Sequence, residues 1–229
     1  MALYVVATPI GNLEDMTFRA VEVLKYVDLI LSEDTRETDK LLKKWDIKTP
    51  QISYREENHD KVIDRILTEY TSGKNLALVS DSGTPAISDP GFRLIRKLHE
   101  ISKENKPDII PIPGPSAAVS ALSISGLPTD NYIFLGFLPR KTSQRSKNLI
   151  KYGELEATLI IYESPFRVRK LLKEIQEHLG NRTICLAKDL TKLYESVQTK
   201  PVQEFLNNKE QIKEKGEYVV LIAKEGYTI

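Results

Sequence analysis

The chain has 229 residues, 41% hydrophobic and 28% charged, the proportions of a globular protein long enough for one large domain or two of about a hundred residues each. Its 33 Lys and Arg against 32 Asp and Glu leave a net charge of +1; this excludes a global field for nucleic acid, so any such partner is held by local patches. One cysteine, Cys185, and the scattered His59, His99 and His178 exclude an internal disulfide and give no metal-ligand spacing, so no metal is expected.

The chain enters an apolar, β-branched strand at Leu3–Ala7 without a basic leader, and no apolar run reaches membrane-spanning length. A cytoplasmic protein with no membrane partner is expected. The turn-rich Thr8-Pro9-Ile10-Gly11-Asn12 follows, and Thr17 can cap a helix with Ala20, Val21, Leu24 and Val27 on one face. Leu29–Ser32 reads as the next strand, ending in Glu33-Asp34-Thr35-Arg36 and a helix through Leu41 and Leu42. Ile52–Tyr54 is a short strand candidate. His59 to Ser72 is amphipathic, with Gly73 at the C′ position. Trp45 and Tyr70 read as packing residues.

Leu76–Val79 reads as a buried strand, and the most informative stretch of the chain comes directly after it. Ser80–Gly91, S-D-S-G-T-P-A-I-S-D-P-G, combines glycines, prolines, aspartates and small hydroxyl residues before a helix that runs from Phe92 to about Glu104. A reversal needs only two or three such residues. A longer run builds a surface on which a ligand can meet main-chain N–H and C=O groups without side chains in the way. In open α/β sheets, this edge is where ligands bind.

After strand Ile109–Ile112, the prolines of Pro111–Pro115 mark a stiff linker, and Ser116 opens a helix to Ser125. The alternation then repeats. Tyr132–Leu135, Thr158–Tyr162, Thr183–Lys188 and Tyr218–Ala223 read as strands, Ser143–Tyr152 as a basic helix, and Ser164-Pro165 as the cap and first residue of a helix ending at Leu179-Gly180. Two α/β domains, 1–113 and 114–229, are expected. No G-x-x-x-x-G-K-[ST], G-x-G or G-x-S-x-G occurs, so NTP hydrolysis, hydride transfer and serine hydrolysis lose support.

The words A-T-P-I-G-N-L-E-D, S-E-D-T-R, D-S-G-T-P-A-I-S-D-P-G, P-G-P-S-A, G-F-L-P-R and Y-E-S-P-F-R, with Leu190-Thr191-Lys192 after Lys188-Asp189, resemble in order those of the tetrapyrrole-methylase superfamily of S-adenosylmethionine-dependent methyltransferases. Within it they resemble the branch that methylates small-subunit ribosomal RNA. The resemblance spans residue 7 to about 192. It implies a homodimer of two α/β domains with the cofactor cleft between them, and 2′-O-methylation of a cytidine ribose in small-subunit ribosomal RNA or the small ribosomal subunit, not of DNA. The cofactor S-adenosyl-L-methionine is implied to contact Pro9, Asp81, Gly83, Thr84, Ile87, Ser88, Ser116, Ala117, Glu163, Ser164, Leu190 and Tyr218. The sequence departs from its relatives at Lys188-Asp189, where they have Arg-Glu, which loses the guanidinium fork. Relatives also carry a C-terminal extension beyond the position of Ile229, so RNA capture is expected on the main body or the dimer partner.

Methyl transfer to a ribose hydroxyl is an in-line displacement that rewards positioning. Glu33, Asp34, Asp81 and Glu163 are candidate proton acceptors. Asp34, Arg36 and Lys192 are assigned to catalysis, although Asp34 can equally cap the next helix, and Arg36 and Lys192 can be solvated cations. For RNA, Arg140, Lys141, Arg145 and Lys147, with Lys151, adjoin Phe134 and Phe137, pairing phosphate-binding charge with rings that stack on bases. Arg167, with Arg169, Lys170 and Lys173, forms a second set. The alternatives are the same chemistry on a tetrapyrrole or a diphthamide precursor, and a non-catalytic RNA-binding assembly factor.

Overall fold

The computed structural model describes residues 1–102, 107–208 and 212–229. They form two units, Met1–Ser116 and Ala117–Ile229, both of the expected α/β class. The first is built on β1 (Leu3–Val6), β2 (Leu29–Ser32), β3 (Gln51–Ser53), β4 (Leu76–Val79) and β5 (Ile109–Ile112), an all-parallel sheet in the order β3-β2-β4-β1-β5. Every residue of β2 and β4 is buried, as continuous apolar runs covered on both faces should be.

Helices α1 (Phe18–Tyr26), α2 (Thr35–Lys44), α3 (His59–Thr71) and α4 (Phe92–Ile101) connect these strands. Ala20, Leu24, Leu41 and Leu42 of α1 and α2 share one apolar cluster. Ile66, Tyr70, Leu94 and Leu98 of α3 and α4 share another. The chain leaving β1 and β2 therefore turns to one face of the sheet, and the chain leaving β4 turns to the other. A crevice must open where adjacent strands part in this way. The caps are as read: Thr17 accepts the Ala20 N–H at 3.1 Å, and Gly73 holds φ +96° after α3. The expected end of α4 at Glu104 lies outside the described residues.

The second unit carries α5 (Ala117–Ile124), β6 (Tyr132–Phe137), α6 (Thr142–Gly153), β7 (Thr158–Glu163), α7 (Pro165–Leu179), β8 (Thr183–Lys188), β9 (Ser196–Pro201), α8 (Val202–Asn207) and β10 (Tyr218–Ile222). Its sheet runs β6-β7-β10-β8-β9; β6 and β7 are parallel, and β10 is antiparallel to both β7 and β8. The ends of β6, β7 and β8 consequently lie along one edge. Strand β9 and helix α8 were not expected. Cys185 is buried in β8. No helix among the described residues is long and apolar enough to cross a membrane.

Candidate functional site

In the first unit the loops after β1 and β4 are tied together through main-chain groups. Thr8 and Gly83 exchange N–H···O bonds of 2.9 and 3.1 Å, and the Thr8 hydroxyl donates to the Ser80 carbonyl at 3.1 Å. The bridge spans the crevice between β1 and β4 and places Pro9, Gly83 and Thr84 beside it. Gly83 holds φ +79°, while Ala86 and Ser88, which are not glycines, hold +68° and +63°. Left-handed backbone at two non-glycine residues stores strain that surrounding structure must hold, and such strain concentrates at ligand sites. At Gly114 an added Cβ would lie 3.0 Å from that of Ala7.

The loops after β2 and β4 meet through carboxylates. Asp81 accepts the Asp34 N–H at 2.9 Å, and the Asp81 N–H donates to Glu33 at 3.2 Å. Asp34 caps α2 by accepting the Arg36 N–H at 2.9 Å and pairs with the Arg36 guanidinium at 2.6 Å. Arg55 lies 3.8 Å from Asp34 and donates to the Glu33 carbonyl at 2.8 Å. Beside this clasp lies an open cavity of about 1140 Å³. Of the expected site residues, Glu33, Asp34, Asp81 and Ser88 line it; Arg55 and Asp89 line it as well.

Electrostatics separate these carboxylates. Hydrogen bonds from Arg36 hold Asp34 far below the usual carboxylate range, which makes it a poor proton acceptor. Burial raises Glu33 and Asp81, the latter with the Asp34 charge adding to it. Asp89 is pushed up to about 7 by burial and by the neighbouring Glu33 charge. It was missing from the expected site, since S-D-P-G reads as turn chemistry and sequence carries no signal of burial. Ile87 is exposed. Among the described residues no group of His, Cys, Asp and Glu could hold a metal ion.

Ser116, the last residue of the first unit, directly precedes α5, and in the second unit the Ala118 N–H of that helix already donates to the Tyr162 hydroxyl at 3.1 Å. Glu163 at the end of β7 is buried. One carboxylate oxygen accepts the Ser164 N–H at 2.8 Å and faces Arg167 at 3.2 Å, while the other has no partner among the described residues, and burial raises its pKa. After β8, Asp189 and Thr191 hold φ +50° and +64°. Asp189 accepts the Glu217 N–H at 3.0 Å, and Lys192 pairs with Glu217 at 2.8 Å. Leu190 is buried.

Three expectations need correcting. Arg145 is not a phosphate contact: its side chain is 3% exposed and forked onto Glu174, and its guanidinium donates to the carbonyls of Pro139 and Arg140 at 2.9 and 3.0 Å. Arg167 is only partly free, since it also donates to the Leu138 carbonyl at 2.9 Å. Tyr218 turns its ring into the apolar core, its hydroxyl bonds the Lys213 main chain, and its backbone is paired with both β7 and β8. That leaves nothing of it for a ligand. Arg140, Lys141 and Lys147 are exposed or partly exposed as expected.

The sequence profile of the tetrapyrrole (corrin/porphyrin) methylases matches residues 2–206. The chain is 45% identical over 224 residues to the ribosomal RNA small subunit methyltransferase I of Halalkalibacterium halodurans, covering 98% of this chain and 76% of that protein. It is 45% identical to the protein of that name from Synechocystis sp., covering 96% and 78%, and 41% identical to that from Vibrio cholerae, covering 96% and 76%. The methyltransferase CobJ shares its fold with a TM-score of 0.74 at 16% identity, covering 100% of this chain and 96% of that one. The uroporphyrin-III-C-methyltransferase of Thermus thermophilus does so with a TM-score of 0.64 at 18% identity, covering 97% and 94%.

Proposed function

From the premise that this chain belongs to the tetrapyrrole (corrin/porphyrin) methylases, we propose that it transfers a methyl group from S-adenosyl-L-methionine to the ribose 2′-hydroxyl of a cytidine in small-subunit ribosomal RNA, acting in the cytoplasm as a homodimer. The observation that carries this reading is the 41–45% identity, along nearly the whole chain, to relatives named for methylating that RNA.

The first unit fits the methyl donor. Gly83 and Gly114 keep the backbone beside Thr8 and Ala7 free of side chains, and the carboxylates of Glu33, Asp81 and Asp89 suit both ribose hydroxyls and a positively charged sulfonium. Pro9, Gly83, Thr84, Ile87 and Ser88 would hold the nucleoside, and Asp81 would fix the loop against Asp34. When bound, the donor supplies an electrophilic methyl carbon activated by its sulfonium. The protein's part is to place the acceptor oxygen in line with that carbon, exclude water and receive the hydroxyl proton.

Of the cavity carboxylates Asp89 is suited to that last task, because a base with a pKa near the working pH transfers protons most efficiently. Asp34, held ionised by Arg36, instead acts by capping α2 and keeping Arg36 in place to face a phosphate or ribose. Lys192 and the exposed Arg140, Lys141 and Lys147 supply further positive charge toward the RNA backbone.

The test is incubation with labelled S-adenosylmethionine and small ribosomal subunits from cells lacking this activity. Label should enter the ribosomal RNA, and Gly83→Val should abolish its entry. Label entering a tetrapyrrole and no RNA would assign the acceptor to the other branch of the family.

A further inference from the structure

Three successive loops at one edge of the second sheet each present an exposed aromatic ring. Phe137, where β6 ends, is 58% exposed; Phe166, at the start of α7 after β7, is 77% exposed; Tyr194, in the loop after β8, is 75% exposed and follows Leu193 at 89%. Because β6, β7 and β8 point the same way with β10 between the last two, these loops lie roughly 5 and 10 Å apart along the edge, one and two strand spacings. Rings left in water at such exposure are costly, and their recurrence along one edge marks a surface built for contact.

Phe137 and Tyr194 stand on fixed bases. Phe137 packs edge-on against Tyr162, ring centroids 5.7 Å apart. The next three carbonyls, of Leu138, Pro139 and Arg140, are gripped by the guanidinium groups of Arg145 and Arg167. The loop carrying Tyr194 is closed by Lys192 N–H to the Asp189 carbonyl at 2.9 Å and by Thr191 N–H to Glu195 at 2.6 Å. Cations flank the rings: Arg140 and Lys141 beside Phe137, Arg169 and Lys170 beyond Phe166, and Lys192 before Tyr194.

Resting on the RNA-acceptor reading above, we infer that this edge is a stacking surface for unpaired bases, on which Phe137, Phe166 and Tyr194 each take a base face while the flanking cations hold the phosphates. Rings interleaved with positive charge match a single strand, whose bases are apolar and whose backbone is anionic. A second copy of this chain would bring the same cations against themselves. Pre-set loops avoid the entropy of ordering rings on binding, and stacking is tolerant of sequence, so this surface grips the strand around the target without choosing the nucleotide.

The experiment compares binding of a fluorescein-labelled single-stranded RNA nonamer with an abasic nonamer of equal charge, alongside methyl transfer by the same preparations. Wild-type protein should prefer the RNA bearing bases. Each of Phe137→Ala, Phe166→Ala and Tyr194→Ala should lower that affinity about 5- to 150-fold, the range of one lost stack, and the triple variant should bind both nonamers alike. The salt dependence should stay as in wild type, whereas Lys141→Ala should weaken both nonamers equally and flatten it. Wild-type affinity in the triple variant, or no preference for bases in wild type, overturns the inference, as does conversion of a dimer to a monomer by the triple variant in sedimentation. If methyl transfer to ribosomal RNA proceeds while the rings prove dispensable, only this inference falls. If no RNA accepts methyl from wild type, the proposed function falls.

Discussion

Arg145 on α6 and Glu174 on α7 form a two-pronged ion pair in which the side chains are only 3% and 6% exposed. Removing one partner of a buried pair strands the other charge, at a cost of about 3–5 kcal/mol. Glu174→Ala should therefore lower the urea midpoint well beyond what a surface change does, and Arg145→Lys should not restore it, because an ammonium cannot reproduce the fork to the carboxylate and two carbonyls. Equilibrium unfolding followed by circular dichroism measures both.

Asp81 fastens the loop after β4 to the loop after β2 by accepting the Asp34 N–H. Asp81→Ala leaves that donor without its partner, a loss of about 1 kcal/mol at a part-exposed position. The larger effect should be on the methyl donor, with affinity falling about tenfold as the loop loosens. Asp81→Asn keeps an acceptor oxygen and should retain most of that affinity. Isothermal calorimetry with S-adenosylmethionine or its demethylated product separates the two variants.

Asp89 binds its proton more tightly folded than unfolded, since burial lifts it to about 7. Its contribution thus favours the fold below the ordinary aspartate range near 4 and is lost as pH rises through about 7. Asp89→Asn should consequently stabilise the protein at pH 8, by about 1 kcal/mol once solvent screening of this part-exposed group is allowed for. The same substitution should cut kcat by about 10²- to 10⁴-fold. In wild type kcat should rise with pH to a plateau with a midpoint near 7, and the variant should lack that limb. A more stable but nearly inactive variant separates a functional strain from a packing role.

Gly91, which starts α4, holds φ +143°, and an added Cβ would sit 2.8 Å from Leu78 Cδ2 and 3.1 Å from the Ala86 Cβ. Gly91→Ala should destabilise by about 1–3 kcal/mol through this crowding and the unfavourable dihedral. It should also displace Ala86, so that cofactor affinity falls in step. Gly73→Ala, with φ +96° but open space around it, should cost about 1 kcal/mol and leave cofactor binding unchanged.

Much of the fold was legible because its strands are continuous apolar runs bounded by turn residues, as at Leu76–Val79 and Thr158–Tyr162. Strand β9 was not, because Ser196–Pro201 lies at a sheet edge where every residue is only partly buried, leaving no alternation to read. The loop Ser80–Gly91 stood out by composition, but which of its carboxylates burial would tune did not, and Asp89 is legible only in the structure. Arg145 was misread as surface charge. Its spacing of four from the buried Leu149 put it on the inner face of α6, a signal that the basic composition of the helix obscured. Phe166 and Tyr194 look like core residues by type, and only the structure shows them in solvent.

Ribose methylation is tested by mapping the modification on small-subunit ribosomal RNA methylated by this protein, using partial alkaline hydrolysis. A 2′-O-methyl group blocks cleavage at its own nucleotide, so one gap is expected in the ladder, at a cytidine, dependent on S-adenosylmethionine. An unbroken ladder from RNA that has taken up label would place the methyl on a base and contradict it.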